Sequence, residues 1–416
     1  SLVEKICLSL RDHSAKVYLV GGYVRDRLLG RVCQDIDFAV KGEAMALARV
    51  VADRWKGAFV PLDKEHDTGR VVLRDEKGQH LFVDFACLRG ESIEADLSLR
   101  DFTIDAIAFD PDIPGLIDPH QGQRDLQNRV VRAVSKTVFH DDPLRTLRAV
   151  RLAVQLDMVI EPQTEEWIRR DASLITSVSA ERIRDELSKI VARPGAAHNL
   201  RYLDNLGLLT TLIPELERTK GAEQSPPHYL NVFEHTLEAV GHLEKLCACL
   251  VQECEMQTEA LQIMFCNLHP FSARLSAHLS QPMTDGRLRL TLLKIVALLH
   301  DLGKPPTASL DENGRIRFLG HEKEGAILAE EILRRLRFGA DEMKVARTII
   351  ANHMRPPQLA AQETLTRRAI YRFFRDTGQA GVDTLLLYLA DHLATRGPNL
   401  QPALWRKRVE MTVSLL

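Results

Sequence analysis

The fold of this chain is decided by two linked segments near its N-terminus, Tyr18-Leu-Val-Gly-Gly-Tyr-Val-Arg-Asp-Arg-Leu-Leu-Gly30 and Asp35-Ile-Asp-Phe-Ala-Val40. The apolar run before the glycines predicts a short buried strand. Gly21 and Gly22 predict a sharp turn that leads into a helix and lets the backbone approach a ligand closely. N–H groups at such a helix start favour anions, and Arg25 adds positive charge there. The pattern therefore predicts an anion-binding turn between a strand and a helix.

The second segment predicts a strand with two carboxylates on one face. Side chains alternate along an extended chain, so Asp35 and Asp37 point one way while Ile36 and Phe38 point the other. Carboxylate oxygens at this spacing suit Mg²⁺ ions that also bind substrate phosphates. The alternative is a polar face on an edge strand, and the adjoining glycine turn weighs against it.

Together the two segments resemble motif A of the DNA polymerase β nucleotidyltransferase superfamily, in its class II tRNA nucleotidyltransferase and poly(A) polymerase branch. The pattern there is L-V-G-G-x-V-R-D-x-L-L-G followed by D-x-D, and this chain matches it throughout. The resemblance implies that Asp35 and Asp37 hold Mg²⁺ as catalytic residues. It also implies that Gly21, Gly22 and Arg25 bind a nucleoside triphosphate.

Composition sets limits on this prediction. The chain has 416 residues, is 45% hydrophobic and carries a formal net charge of -2. It is long enough for two or three domains, and RNA binding would require basic residues gathered in local patches. No signal peptide and no apolar run of membrane-spanning length is found, which predicts a cytoplasmic protein with no membrane partner. The cysteines lack a paired framework, so Cys247, Cys249 and Cys254 are interpreted as reduced thiols.

Residues 41–90 predict the rest of a small mixed sheet. Apolar spacing indicates a helix over residues 43–54 and strands over residues 70–73 and 80–86. Asp84 lies between two apolar residues of the last strand, so its carboxylate points away from theirs. It is a candidate third catalytic carboxylate that orients the attacking hydroxyl group, and a solvated strand residue is the alternative.

A further segment, Arg100-Asp-Phe-Thr-Ile-Asp-Ala-Ile-Ala108, resembles the R-R-D-F-T-x-N-A-x-A motif of the same family. The resemblance implies that Arg100 and Asp101 bind the nucleotide. Leu99 replaces the first arginine of the motif, which removes one positive charge from the phosphate side. Asp105 replaces the usual asparagine, and the sequence identifies no partner for its charge.

The segment Asp141-Asp-Pro-Leu-Arg-Thr-Leu-Arg148 predicts a helix with Asp141 as its N-cap. Asp142 and Arg145 would share one face of that helix. The segment resembles the E-D-x-x-R motif of the family, which implies that these two side chains read the Watson–Crick edge of the incoming base, with Arg148 in the same nucleotide site. A carboxylate accepts from the amino group of cytosine or adenine, whereas uracil and guanine present a carbonyl there. The alternative is an ion pair on a helix surface.

The C-terminal part carries a second set of potential metal ligands. Its members in chain order are His235, His300, Asp301, His321, His353 and Asp391. His321 and His353 are candidates for a second metal ion, and the other four give the order H…HD…D, with Leu-Gly-Lys after the pair. This order resembles the HD metal-dependent phosphohydrolase superfamily. The resemblance implies a divalent ion, either Mg²⁺ or a transition metal, that activates water.

These patterns predict an α+β nucleotidyltransferase head with a small mixed sheet and helices, followed by an all-α neck and body and an all-α HD domain. The predicted domains are residues 1–138, 139–225 and 226–416, and the second is expected to recognise the base and bind RNA. Arg368, Arg372 and Arg375 fall in a narrow sector of one predicted helix. They are candidate RNA contacts in a chain that is slightly acidic overall.

The patterns together predict a template-independent enzyme that adds C, C and A to the tRNA 3′ end from CTP and ATP by Mg²⁺-dependent nucleotidyl transfer. Three alternatives stay open: an enzyme that adds only CC, a poly(A) polymerase, and an HD phosphohydrolase with a vestigial RNA-binding head. The CC-adding alternative rests on residues 90–95, a segment shorter than the flexible loop that helps CCA-adding relatives switch from C to A. The intact pairs Asp35 and Asp37, and Asp142 and Arg145, speak against a vestigial head.

Overall fold

The chain folds into two compact units, Ser1–Asp171 and Ala172–Leu416. The computed structural model describes residues 2–10, 15–33, 35–74, 78–113, 115–251, 258–362 and 365–416. The first unit contains the predicted head and the start of the predicted neck, and the second contains the rest of the helical part. The domain boundaries at residues 138 and 225 stay predictions.

The first unit is built on a seven-stranded mixed sheet. Its strands are β1 (Lys16–Val20), β2 (Asp35–Lys41), β3 (Ala58–Asp63), β4 (Thr68–Arg74), β5 (His80–Cys87), β6 (Ala108–Phe109) and β7 (Leu116–Ile117). They lie in the order β3-β4-β5-β2-β1-β6-β7, with β2 and β5 parallel and the other neighbours antiparallel. The predicted mixed sheet is confirmed. The sequence did not predict β3, because this edge strand is largely exposed and contains Pro61.

The register between β2 and β5 places the head carboxylates on one side of the sheet. Asp37 pairs with Asp84, and the next pair is Phe38 with Phe85. The two phenylalanine rings stack in the buried core with centroids 4.9 Å apart and planes 7° apart. Because successive side chains point to opposite faces, the two aspartates must share the other face.

Helices accompany this sheet in the first unit. They are α1 (Leu2–Leu10), α2 (Gly22–Leu28), α3 (Ala44–Trp55), α4 (Ile93–Ser98), α5 (Gly122–Gln127), α6 (Val138–Asp141), α7 (Arg145–Leu156) and α8 (Pro162–Asp171). A short parallel pair, β8 (Val130–Val131) and β9 (Val159–Ile160), lies among them.

The start that the sequence predicts for the helix near Asp141 is wrong. Helix α6 ends at Asp141, Asp142 is extended with φ −149° and ψ 102°, and α7 begins only at Arg145. Proline disfavours the helical conformation of the residue before it, and Pro143 follows Asp142 directly. The Asp142 carboxylate instead accepts a hydrogen bond from the Leu144 N–H at 3.2 Å. Asp142 therefore precedes the helix that carries Arg145, and the two do not share a helical face.

The second unit is helical. Its helices are α9 (Ala180–Ala192), α10 (Ala196–Asn205), α11 (Leu208–Leu212), α12 (Glu217–Lys220), α13 (Val232–Val251), α14 (Glu259–Leu268), α15 (Ser272–Leu279), α16 (Arg289–Leu299), α17 (His321–Arg335), α18 (Ala340–Asn352), α19 (Arg355–Ala360), α20 (Arg367–Thr377), α21 (Ala380–Arg396) and α22 (Pro402–Leu415). The predicted fold class is thus confirmed for both units. Among the described helices, none combines the length and the apolar character needed to cross a membrane.

One feature of the second unit departs from the all-α prediction. An antiparallel hairpin, β10 (Ala308–Leu310) and β11 (Ile316–Phe318), interrupts the helices. Its turn is closed by Asp311, whose carboxylate accepts from the backbone N–H groups of Asn313 and Arg315. An aspartate followed by Asn and Gly is a turn signal, and each strand of only three residues is too short for periodicity to predict.

The cysteine prediction is right in one position and wrong in another. Cys247 is a buried free thiol, and burial raises the pKa of this thiol to about 12. Cys249 is disulfide-bonded, so its interpretation as a reduced thiol is wrong. Cys254 lies outside the described residues. Sequence spacing alone cannot show which thiols meet, because a disulfide depends on the separation of the two side chains in space.

Candidate nucleotide and metal sites

The predicted catalytic carboxylates of the head lie on two adjacent strands. Asp35 and Asp37 are on β2 and Asp84 is on β5. Burial raises the pKa of Asp37 to about 6, and the charge of Asp84 adds to this effect. Such a carboxylate gains from a neighbouring cation, because positive charge favours its ionised form. Asp35 and Asp37 therefore have the chemistry of Mg²⁺ ligands.

Asp84 has a partner that the sequence did not reveal. Arg70 of β4 donates to it from Nε at 2.7 Å and from Nη2 at 2.8 Å. The two residues face each other across the β4–β5 ladder. No sequence signal identifies this pair, because it depends on the register of two strands. Asp84 is thus oriented by an arginine beside the paired aspartates.

The glycine turn brings Arg100 next to these carboxylates. Gly21 has φ 67°, a backbone conformation that favours glycine. A Cβ atom at Gly21 would lie 2.9 Å from Arg100 Nη1 and 3.5 Å from Asp37 Oδ2. The positive φ favours glycine at this turn, and both Arg100 and Asp37 lie close beside it.

A buried aspartate, Asp96, fixes Arg100 in this position. Its carboxylate accepts from Arg100 Nε at 3.1 Å and Nη2 at 3.0 Å, and its other oxygen accepts from the Arg89 N–H at 3.0 Å. Asp96 thus ties both ends of the segment of residues 90–95 to the site. Within that segment, the Ser92 hydroxyl accepts from the Ala95 N–H and caps α4.

Asp105, the replacement for asparagine in the motif, has two arginine neighbours. Arg25 Nη1 donates to its Oδ1 at 2.7 Å, and Arg148 Nη2 lies 3.8 Å from its Oδ2. Arg148 also pairs with Asp101 through Nε at 2.7 Å. Although burial opposes it, the Asp105 and Asp26 carboxylates raise the pKa of Arg25 above its ordinary value. Asp105, for which the sequence identifies no partner, is therefore paired with Arg25, which is itself buried.

The predicted base-reading residues flank the start of α7. Arg145 donates to the backbone carbonyls of Val138 at 3.3 Å and Leu99 at 3.2 Å. The second contact places its guanidinium beside the segment that carries Arg100 and Asp101. Asp142 lies in the extended link before α7. The structure thus gathers the predicted nucleotide-binding residues of the first unit around Gly21 and α7.

The second unit brings all six predicted metal ligands together. His235 Nε2 lies 3.0 Å from Asp391 Oδ1 and 3.4 Å from Asp301 Oδ2, and His300 Nε2 lies 3.2 Å from Asp301 Oδ2. His321 and His353 approach the other oxygen of Asp301 at 3.6 and 3.8 Å. Within the described residues, two sets of three ligand atoms lie inside 4.8 Å of one another, and both contain Asp301. The geometry therefore offers one group around each oxygen of Asp301.

The imidazoles of this histidine cluster are oriented by backbone carbonyls. The Nδ1 atoms of His300, His321 and His353 donate to carbonyls three residues earlier, at 2.8, 2.7 and 2.7 Å. Each ring thus presents Nε2 on the side of Asp301, and a second ring nitrogen that donates to a backbone carbonyl is typical of metal-bound histidines. The Nε2 atoms of His235 and His300 are buried without a hydrogen-bond partner. These observations fit a bound divalent cation.

A cavity of about 400 Å³ opens over the histidine cluster. Basic side chains that line it are Lys304, Arg315, Arg317, Arg396 and Arg408. Lys304 Nζ lies 2.6 Å from Asp301 Oδ2 and donates to Gln224 Oε1 at 2.7 Å. A positively charged cavity above metal ligands suits a phosphate-bearing molecule.

The predicted RNA-binding arginines lie on α20. Arg368, Arg372 and Arg375 are exposed, as is Tyr371 between them. Arg375 donates to Asp376 at 2.7 Å, which partly neutralises it. Arg368 and Arg372 make no ion pair with other described residues, so their charges face solvent.

A mixed sheet that carries D-x-D beside a glycine turn, joined to a helical unit with an H…HD…D cluster, defines a nucleotidyltransferase with an HD domain. Family descriptions match in the same order: "Poly A polymerase head domain" over residues 17–132, "Probable RNA and SrmB- binding site of polymerase A" over 157–219, and "HD domain" over 232–396. The chain belongs to the family of tRNA nucleotidyltransferases and poly(A) polymerases, and it is an enzyme. The predicted family is confirmed.

Named relatives differ in what they add. An A-adding tRNA nucleotidyltransferase of Deinococcus radiodurans is 36% identical over 92% of this chain and 77% of its own length. A CC-adding tRNA nucleotidyltransferase of Thermus thermophilus is 33% identical over 91% of this chain and 76% of its own length. A Thermotoga maritima CCA-adding enzyme, solved as a complex with tRNA, is 21% identical with a TM-score of 0.60 and covers 93% of this chain and 78% of its own. The last likeness concerns the fold alone.

Proposed function

We propose that this chain extends the 3′ end of tRNA with cytidine from CTP and adds little or no terminal adenosine. The observation that carries this proposal is the attachment of residues 90–95. The segment lies between Arg89 and Asp96, and the Asp96 carboxylate accepts from the Arg89 N–H and from the Arg100 side chain. Ser92 within the segment caps α4. Relatives with each specificity exist, so likeness alone does not choose between them.

The attachment matters because a change from C to A requires the pocket to change. A short segment with a buried carboxylate anchor has little reach, and Glu91 and Glu94 on it would repel a triphosphate. Arg100 is held by the same anchor, so it cannot move independently of the segment. We therefore expect one pocket geometry, set for the first base added.

The first unit supplies the groups needed for nucleotidyl transfer. Asp35 and Asp37 would hold Mg²⁺, which lowers the pKa of a bound hydroxyl and stabilises charge on departing pyrophosphate. Asp84, oriented by Arg70, accepts a hydrogen bond from the attacking ribose hydroxyl. Arg100 contributes positive charge beside the phosphates. Asp142 and Arg145 hold the base, the first as an acceptor from an amino group and the second as a donor.

A second candidate activity is favoured by the histidine cluster. Its ligands fit a divalent cation, and the basic cavity above them fits a phosphate ester. We propose hydrolysis of such an ester as a separate activity of the second unit. Bound metal would supply a water of lowered pKa there, while Lys304 and the cavity arginines would bind the phosphate.

The deciding experiment extends three tRNA transcripts that end in the discriminator base, in C, or in CC. Each is incubated with MgCl₂ and either CTP or ATP, and the products are separated at single-nucleotide resolution. We expect two C additions to the first transcript with CTP and no extension of the third with ATP. One A on the CC-ending tRNA would indicate complete CCA addition and overturn the proposal, and long A tails would indicate a poly(A) polymerase. Asp37→Ala protein is the control for contaminating enzymes.

A further inference from the structure

The carboxylate of Asp105 lies between two helices of the nucleotide site. Its Oδ1 accepts from Arg25 on α2, and its Oδ2 faces Arg148 on α7 at 3.8 Å. The side chain is only 2% exposed. Opposite charges attract more strongly in such an environment than in water. One residue therefore links the helix after the glycine turn to the helix that carries Arg145.

The motif resembled by this segment has asparagine at this position, and asparagine could not make the same link. A carboxamide has one acceptor and one donor end. If its oxygen accepted from Arg25, its NH₂ group would face the guanidinium of Arg148, donor against donor. A carboxylate presents acceptors to both arginines. Aspartate in place of asparagine at position 105 thus suits a site that has a guanidinium group on each side.

Two further contacts connect residues 99–105 to the part of α7 that carries Arg145, the proposed base-reading residue. Arg148 pairs with Asp101 at 2.7 Å, and Arg145 donates to the Leu99 carbonyl at 3.2 Å. The two arginines are three residues apart on α7 and project on similar sides of it. Asp101 and the Leu99 carbonyl therefore bind the start of α7 directly. Asp105 approaches Arg148 at 3.8 Å as an ion pair without a hydrogen bond, and it also accepts a hydrogen bond from Arg25 on α2.

We propose that Asp105 is a positioning residue that sets the distance between the phosphate side and the base side of the nucleotide site, and so contributes to selection of the base. The proposal rests on nucleotide addition as proposed above, and it does not depend on whether A is added. Asp105 acts through Arg148 and α7 and does not touch the base. Loss of its charge should loosen α7 and weaken discrimination more than it slows chemistry.

Asp105→Asn is the test, because it keeps the size of the side chain and an acceptor for Arg25. Asp110→Asn is the matched control, since Asp110 is equally buried in the same unit but pairs with Lys16 at 2.9 Å. Affinities for CTP and UTP are measured by equilibrium binding with MgCl₂, and kcat/KM for both is measured with tRNA. We expect Asp105→Asn to lower the CTP:UTP ratio about tenfold in both assays through KM, and Asp110→Asn to leave it unchanged.

A double-mutant cycle that combines Asp105→Asn with Arg148→Gln distinguishes a positioning role of Asp105 from general destabilisation of the fold. Because the two residues share one link, the double variant should show the same ratio as Arg148→Gln alone, whereas independent effects would multiply. Arg148→Gln by itself must lower the ratio, which keeps the test available if Asp105→Asn does not fold. The proposal would be overturned by a wild-type CTP:UTP ratio in either single variant. It would also be overturned if the effects of the two single substitutions on that ratio multiplied in the double variant. Wild-type protein that selects CTP in binding but adds nothing would refute nucleotide addition and leave the binding test of Asp105 intact.

Discussion

Arg70 holds Asp84 by two parallel hydrogen bonds of 2.7 and 2.8 Å. Arginine and carboxylate in this bidentate geometry form a directional pair. Asp37 is in register with Asp84 on the neighbouring strand, and within the described part of the chain no arginine holds it in this bidentate way. Burial disfavours its anionic form and raises its pKa to about 6. The two carboxylates therefore differ in role: Asp37 is suited to bind a cation and Asp84 to keep one orientation.

Asp37→Ala should reduce nucleotide addition by at least about 1,000-fold, because it removes a ligand of the proposed catalytic Mg²⁺. Asp35→Ala should act in the same way. Binding of tRNA, measured by filter retention, should stay near wild type, since phosphate-backbone contacts lie elsewhere. The control is Asp63→Ala, an exposed carboxylate on β3 of the same sheet. Near-normal addition by the Asp37 variant would refute the metal role.

Arg70→Gln should lower kcat about tenfold with little change in KM for CTP. The change leaves Asp84 present but without its orienting partner, and loss of such supporting contacts commonly costs ~10- to 100-fold. Asp84→Asn should cost more, about 100-fold. If Arg70→Gln were as active as wild type while Asp84→Asn was inactive, the orientation of Asp84 would not depend on Arg70.

Asp142→Ala should admit UTP and GTP more than it weakens binding of CTP. A good paired contact to a base contributes ~1–3 kcal/mol of discrimination, or roughly 10- to 100-fold. Misincorporation is measured on one tRNA with each nucleotide in turn. Asp141→Ala, next in sequence, is the control. A slower but equally selective Asp142 variant would place base reading elsewhere.

Metal content should distinguish the two ligand groups around Asp301. After loading with Mn²⁺ or Ni²⁺ and dialysis, wild type should retain up to two ions in the second unit, and His353→Ala and His300→Ala should each retain fewer, because each removes one member of one group. Wild-type metal content in both variants would refute the metal site. Elemental analysis gives the count. His242→Ala is the control, because this histidine lies on α13 outside both groups.

Nucleotide addition by His300→Ala should stay within about twofold of wild type. His300 lies in the second compact unit, whereas the proposed catalytic residues Asp35 and Asp37 lie in the first. Parallel loss of addition and metal content would show that the two sites are coupled.

Arg372→Gln should weaken tRNA binding and reduce the slope of log K against log salt concentration by about 1, as expected for one lost phosphate contact. Arg375→Gln should have a smaller effect, because Arg375 is already paired with Asp376. No effect of either substitution would argue that α20 is a solvated face without RNA contacts, and equal losses would show that Asp376 does not weaken the contact of Arg375. Titrations at several KCl concentrations supply the measurement.

Local patterns predicted much of this protein. The strand at Val17–Val20, the glycine turn and the D-x-D strand each depend on neighbouring residues alone, so the sequence was sufficient to place them. The six ligands of the histidine cluster were also predicted as a set, since their order matches a known pattern. Their convergence on Asp301 is a property of the fold. The distances between the histidine nitrogens and the Asp301 oxygens cannot be derived from the sequence.

The errors and omissions have a common physical origin. Arg70 meets Asp84, Asp96 meets Arg89, and Asp105 meets Arg25 through strand register or through packing between distant segments, which no local period encodes. The helix predicted from Asp141 failed because Pro143 restricts the residue before it.

The orientation of the histidine rings by carbonyls three residues earlier has an evolutionary consequence. His300 and His353 follow the last turns of α16 and α18, and His321 begins α17. Each ring is aimed by its own short stretch of backbone, so no distant loop is needed to orient it. Outside these short stretches, which include Phe318 of β11, the connections between the helices can lengthen, shorten or change sequence while the predicted ligands keep their orientation. Substitutions in the walls of the cavity can then change what the cavity accommodates without reorienting the histidine rings.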